Sequence, residues 1–238
     1  GEKNVVLNGA AAGKLVVAAR TSGEQCDEQG ITLFLVDAGA QGLGRTAYRL
    51  TDGQEAANIT LDNVSAEAVI GEVGGGYDVF SPVLDMARIA VAANALGAME
   101  KLNAMTLEYC KTREQFGVAI GTFQALQHRL VDTFAACENV KSLLYRAVCA
   151  LDAADEDAQR SLLALKVMVG KSGKLVGGEA IQLHGGMGMT NELAVGYYVK
   201  RVMLANVLFG DADYHQQAFM DLVNAQDEAA KPSAVEAA

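Results

Sequence analysis

Hydrophobic and polar positions follow two different periods along this chain, and the change falls near residue 76. Before it, the apolar runs are short and rich in β-branched residues: Asn4–Leu7 (NVVL), Leu15–Ala19 (LVVAA), Ile31–Val36 (ITLFLV) and Asn58–Leu61 (NITL), separated by Gly, Asp, Asn and Ser. Short runs bounded by turn residues predict strands. About 75 residues in roughly five strands predict a small antiparallel sheet that needs a covering layer.

Beyond the glycine hinge Gly74-Gly75-Gly76 the period becomes helical. A long helix is predicted over Ser81–Thr112, with Ser81 as cap and Pro82 at the first helical position. Met86, Ile89, Leu96, Met99, Leu102, Met105 and Tyr109 recur on one face. A second helix is predicted over Thr122–Leu151, and the polar stretch Ala153–Asp157 breaks the pattern. A third runs over Glu156–His184 and stops at Gly185-Gly186, as helices commonly do at a left-handed cap. Shorter helices follow at Asn191–Leu208 and Ala212–Gln226. Three helices of about 30 residues with short connections suit a four-helix bundle. The expected fold is therefore α+β and mostly α. It divides into a partial antiparallel β domain (1–75), a helical bundle (76–228) and a flexible tail (229–238).

Composition narrows the classes. The 238 residues are 51% hydrophobic and 20% charged, with 2 Pro and 4 Cys. That excludes a disordered tail, a collagen-like repeat and a disulfide scaffold. The net charge of -10 is spread over both parts, with 5 Lys/Arg against 10 Asp/Glu in residues 1–75 and 14 against 19 in the rest. Without a basic half, no nucleic acid is expected as a partner. No uninterrupted apolar run reaches the roughly 18 residues of a membrane span, so none is expected. Cys26, Cys110, Cys137 and Cys149 are scattered and read as small core residues in a reducing compartment. His128, His184 and His215 show no zinc spacing, so no metal is expected. Lys166, Lys171, Lys174, Lys200 and Arg201 read as solvated helix faces.

Several motifs carry more. Thr112–Gly117 reads TREQFG and Ile120–Gln127 reads IGTFQALQ. Gln182–Gly188 reads QLHGGMG, Leu84–Arg88 reads LDMAR and Gly1–Gly9 reads GEKNVVLNG. In this order and spacing, from Gly1 to near Asp221, the chain resembles the acyl-CoA dehydrogenase family. The ending Phe209–His215 (FGDADYH) resembles the subclass that includes pimeloyl-CoA dehydrogenase small subunits. The resemblance implies an N-terminal helical domain, a middle β domain and a C-terminal four-helix bundle. This chain corresponds to the latter part of the β domain and the bundle, so an N-terminally truncated chain is expected. Also implied are FAD as cofactor, an acyl-CoA substrate and an electron-transfer flavoprotein or similar acceptor. FAD would span two subunits of a homo- or hetero-oligomer, a dimer or tetramer. The expected location is the bacterial cytoplasm, or the mitochondrial matrix if the source is eukaryotic.

The resemblance also distributes roles. Arg113 falls where family members meet the FAD pyrophosphate of a neighbouring subunit. A guanidinium suits that role because its planar fork pairs with phosphate oxygens; by itself it could equally be an exposed Arg satisfying helix-end carbonyls. Phe116 and Gln124 match flavin positions, although Phe116 could be plain core. Gln182, Leu183, Gly185 and Gly186 match the turn that approaches the ADP part, where missing side chains let a backbone come close. That turn could also be a simple helix cap, and His184 reads as a satisfied turn residue. Asp85 and Arg88 match an acyl-CoA contact, or form a helix-surface ion pair. Asp211 and Asp213 match FAD positions, and Gly210 lies in the same turn at the substrate.

The family reaction removes the α proton of an acyl-CoA thioester with a carboxylate while the β hydrogen leaves as hydride to the flavin. That base needs a dry pocket where burial can raise its pKa. Family members place it in one of two positions, which here hold Phe209 and Ala87. Neither side chain can take a proton. Asp211 is a substitute candidate, against its reading as a capping residue. Val5 and Leu7 stand where the family often has an aromatic residue and a Thr at the flavin, while Asn8 matches. The readings that remain are a dehydrogenase with an unusual base, a non-catalytic subunit that cradles FAD for a partner, and a bundle with a structural role alone.

Overall fold

The computed structural model describes residues 1–229, and the expected tail from residue 230 onward lies outside the described residues. The chain forms two compact units, Gly1–Met86 and a second beginning at Ala87.

The first unit holds β1 (Glu2–Leu7), β2 (Lys14–Arg20), β3 (Ile31–Asp37), β4 (Leu43–Arg49), β5 (Glu55–Leu61) and β6 (Ala68–Ile70). They make two three-stranded antiparallel sheets, ordered β1-β5-β4 and β2-β3-β6, where the sequence suggests one. Alternation explains the core: Leu15 and Val17 point inward from β2 while Val16 faces solvent. They pack with Val36, Ala57 and Ile59. Strands β4 and β6 are not predicted. Strand β4 (LGRTAYR) lacks an apolar run because its polar residues serve the interior. Arg45 donates to the carbonyls of Ala10 (2.6 Å) and Ala12 (3.0 Å), and Tyr48 Oη donates to Asn58 Oδ1 (3.0 Å). Strand β1 carries a register slip between Lys3 and Val6, and Val5 there has φ 55°. A β-branched residue at positive φ is strained. Its N–H donates to Asn58 Oδ1 at 3.1 Å.

Five helices follow: α1 (Gly76–Thr112), α2 (Gln124–Asp152), α3 (Ala158–His184), α4 (Val195–Val207) and α5 (Ala212–Ala229). Helix α1 begins five residues before the predicted Ser81, so Pro82 lies inside it. A Cβ on Gly76 would sit 2.8 Å from the Ile31 carbonyl oxygen and 3.0 Å from the Leu33 nitrogen, so a glycine fixes the helix start against β3. Pro82 is the seventh residue of α1, past the first four N–H groups that lack an intrahelical partner, so it removes one helix hydrogen bond, that to the Asp78 carbonyl. The bundle core joins Ala92, Met99 and Leu102 of α1 with Cys137 and Val140 of α2. Leu165, Val169 and Val176 of α3 and Val195, Val199 and Val202 of α4 complete it. The fold is α+β and mostly helical. A short hairpin, β7 (Glu114–Gln115) and β8 (Val118–Ala119), links α1 to α2 and is not predicted.

Two further expectations change. Cys110 and Cys137 are buried, and desolvation pushes the Cys137 thiol up to about 11, but Cys26 and Cys149 are exposed. Cys149 lies on a face of α2 that also exposes Tyr145 and Val148. Helix α1 is long and apolar enough to cross a membrane by length and composition alone, with a mean hydropathy of 1.4 in its best 18-residue window. An uninterrupted apolar run misses it because the window tolerates two charges. Only 17% of that window is buried, although α1 supplies Ala92, Ala95, Met99 and Leu102 to the core.

Candidate functional site

The end of α1, the β7–β8 hairpin, the start of α2 and the end of α3 enclose an open cavity of about 540 Å³. Arg113, Phe116, Gln182, Leu183, Gly185 and Gly186 all line it, although Arg113 and Gln182 are 69 positions apart in sequence. The hairpin explains the arm that bears Phe116. Its two central residues, Phe116 (φ 58°) and Gly117 (φ 80°), both take positive φ, as a two-residue hairpin turn requires. Glycine does this freely; phenylalanine does so at a cost of about 1–3 kcal/mol. The strained ring is 93% exposed and meets only the edge of Phe123, at 6.2 Å between centroids. It is not a core residue.

The opposite wall is the α3 terminus. Gly185 (φ 58°) follows the last helical residue and its N–H returns to the Gln182 carbonyl. Nothing lies within 4 Å of a Cβ built on Gly185 or Gly186, so the space beside this backbone is open to a ligand. His184 is buried, its Nδ1 lies 2.7 Å from the Ala180 carbonyl oxygen, and its ring stacks on Tyr109 at 4.5 Å. It is a satisfied wall residue. Among the described residues Arg113 makes no side-chain hydrogen bond or ion pair, so its five donors face solvent and the cavity. Gln124 opens α2 beside Phe123 but does not line the cavity. Tyr109, Phe123 and Arg129 do line it and are not singled out by sequence. Only the packing of α2 on α3 brings Arg129 there.

A second group surrounds the turn after α4. Phe209 (φ 59°) and Gly210 (φ 98°) are both left-handed. A Cβ on Gly210 would sit 2.6 Å from Tyr214 and 2.7 Å from His215 Nε2. Lys166 corrects an expectation: it is fully buried, not solvated. Its ammonium donates to the carbonyls of Ala205 (3.0 Å), Asn206 (3.3 Å) and Leu208 (2.8 Å), meeting the orphan acceptors at the α4 terminus. Burial, and then the nearby Arg88 charge, push its pKa down to about 8 against the opposing pull of Asp211. The Phe209 carbonyl accepts from His215 Nε2 (2.9 Å) and from Arg88 Nε (3.5 Å). His215 is fully buried and its Nδ1 has no partner among the described residues. Burial holds its pKa below the usual histidine range, with Arg88 and Lys166 adding to the effect.

Asp211 is placed at the N-terminus of α5, where Oδ1 accepts the Tyr214 N–H at 2.9 Å. That is capping geometry. Asp213 lies exposed in the first turn of α5. Arg88 joins this group, while Asp85 lies three residues earlier on α1, in the first unit. Ala87 and Phe209 offer no proton acceptor. Among the described residues no cluster of His, Cys, Asp and Glu could hold a metal.

The chain resembles known proteins over most of its length. The profile of the domain described as "Acyl-CoA dehydrogenase, C-terminal domain" matches residues 74–221. The chain is 30% identical over 219 residues to mitochondrial isovaleryl-CoA dehydrogenase of Solanum tuberosum, covering 90% of this chain and 52% of that protein. It is 29% identical over 206 residues to (R)-benzylsuccinyl-CoA dehydrogenase of Thauera aromatica, covering 85% of this chain and 51% of that protein. The chain thus spans about half the length of the curated relatives it matches. A solved structure titled "PigA with FAD and proline" superposes with a TM-score of 0.88 at 26% identity, over 95% of this chain and 60% of the other. Profile, relatives and fold converge, and the chain belongs to the acyl-CoA dehydrogenase family.

Proposed function

We propose that this chain binds FAD and serves an acyl-CoA dehydrogenase assembly as its cofactor-holding subunit. The observation that carries this reading is the contrast inside one helical unit. Arg113, Phe116, Gln182, Leu183, Gly185 and Gly186 converge on one cavity, while Phe209 and Ala87 fill both positions where the family keeps its base.

The residues present fit the cofactor. Arg113 would take the pyrophosphate, and the open backbone at Gly185-Gly186 would take the ADP part. Phe116 would lie against the ring system, with Gln124 beside it. FAD, when bound, supplies the hydride acceptor of an α,β-dehydrogenation. Arg88 and Gly210 would orient the acyl-CoA, and Lys166 and His215 hold the turn in which Gly210 lies. A carboxylate able to take the α proton would come from a partner subunit, because Asp211 is engaged at the α5 cap. An electron-transfer flavoprotein or similar acceptor would then take the electrons.

Two measurements test the reading. The purified protein, alone or with its partner, gains flavin absorbance on addition of FAD; a protein that stays colourless refutes it. Anaerobic acyl-CoA bleaches the flavin only when the partner is present. Bleaching by this chain alone that is lost in Asp211→Asn would assign the base to Asp211 instead.

A further inference from the structure

Arg129 is a second guanidinium in the wall of the same cavity, and no family motif points to it. It sits on α2, six residues after Phe123. Glu179 holds it from α3, three residues before Gln182. The pair is bidentate: Nε lies 2.5 Å from Oε2 and Nη2 lies 3.0 Å from Oε1. That side-on geometry occupies one edge of the guanidinium and leaves both Nη1 donors without a partner among the described residues. The ion pair is half-shielded, with Glu179 side-chain exposure at 20% and Arg129 at 40%. A held guanidinium has little freedom left to lose on binding a ligand, since its rotamer is already set.

Arg113 and Arg129 therefore differ in kind. Arg113 is unpaired and carries a full net charge. Arg129 is balanced by Glu179 and carries direction without net charge. We infer that Arg129 is a ligand-binding residue of this cavity, presenting Nη1 to the phosphate oxygens of a nucleotide, and that Glu179 sets both its position and its strength. The ligand class is a nucleoside diphosphate or its dinucleotide. Two guanidiniums meet the phosphates, while Tyr109 and Phe123 offer flat apolar surface to the aromatic part. The inference rests on the proposed FAD site and extends it to the α2–α3 pair.

The decisive variant is Glu179→Gln in the full chain. It keeps the volume and one acceptor, and removes the second acceptor together with the charge that balances Arg129. Titration with inorganic pyrophosphate and with ADP is expected to show affinity raised several-fold and a steeper decline with salt, because a further uncompensated cation now faces the phosphates. Arg129→Met is expected to weaken ADP and pyrophosphate by about tenfold, as for loss of one charge-assisted hydrogen bond, and to leave adenosine unchanged. Unchanged or weakened pyrophosphate binding in Glu179→Gln overturns the inference even if Arg129→Met binds poorly or fails to fold. Wild-type protein that binds FAD normally while Glu179→Gln shows no gain separates this failure from that of the FAD site. Wild-type protein that binds none of FAD, ADP and pyrophosphate overturns both.

Discussion

The cavity at the α3 terminus and the turn after α4 lie in the same helical unit, yet they treat polar groups in opposite ways. At the cavity, donors are left unmet among the described residues: Arg113 has no partner, and Arg129 keeps Nη1 free. A hydrophobic ring, Phe116, is held out in solvent on a strained backbone. At the turn, the acceptors are met from inside: Lys166 takes three carbonyls and His215 with Arg88 takes a fourth. Unmet donors beside open space describe a place for a ligand, whereas carbonyls met by the buried Lys166 and His215 describe a brace. Under the proposed function, the cavity is the cofactor end and the turn is structure.

The comparison breaks first at Lys166. If the turn is a brace, Lys166→Met, which keeps the stem, leaves the α4 terminal carbonyls buried without donors. We expect a loss of about 3 kcal/mol or more in urea unfolding, from several unsatisfied acceptors at once. A loss below about 0.5 kcal/mol would show that water replaces the ammonium and that the brace is not one. Next in size is Arg113→Ala. Its guanidinium has nothing to lose within the chain, so the melting temperature stays where it is. FAD affinity falls by about 10- to 100-fold, the worth of hydrogen bonds to a charged phosphate. Destabilisation without loss of affinity would reverse the reading of the cavity.

The pH dependence of stability sharpens the other side. His215 in the folded chain titrates below the unfolded value of 6.5, through burial first and then the Arg88 and Lys166 charges, with Asp211 opposing. Its neutral form is the one the fold accepts. Stability is therefore complete above pH 6.5 and declines as pH falls through the folded pKa, because the unfolded chain binds the proton more readily. His215→Gln keeps a donor for the Phe209 carbonyl and should flatten that decline. An unchanged acid limb in His215→Gln would assign the dependence to other groups.

Much of this was legible in the residues, and the failures have physical causes. The helices were readable because apolar positions recur on one face, and Gly185 marked the α3 terminus by the left-handed cap it supplies. Strand β4 escaped because Arg45 and Tyr48 are half-buried and held by hydrogen bonds, which no hydropathy pattern records. Lys166 misled for the same reason: it occupies a core position of α3, and only the approach of the α4 terminus gives its ammonium a partner. The Pro82 signal pointed to a helix start, but the fit of Gly76 against β3 set the start earlier. Arg113, Phe116 and the Gln182 turn were visible as motifs because they are close in sequence within each motif. Arg129 and Glu179 were not, because they meet across two helices and belong to neither motif.

The smallest effect tests whether Phe116 is held out for a purpose. Its left-handed φ of 58° strains the hairpin, and its only ring contact is the edge of Phe123. Phe116→Ala removes the contact and keeps the strain, so stability should fall by about 0.5–1 kcal/mol, the worth of an edge-on aromatic pair. Phe116→Gly removes both, and relief of the left-handed penalty of about 1 kcal/mol should return stability to within about 0.5 kcal/mol of the starting protein. The gap between the two variants measures the strain independently of the ring. If the ring exists to touch the flavin, both variants lose FAD affinity equally although they differ in stability. Equal stability would mean that the hairpin relaxes and stores nothing. Unchanged affinity in both would leave the exposed ring without a ligand, and the cavity would then be defined by its two guanidiniums alone.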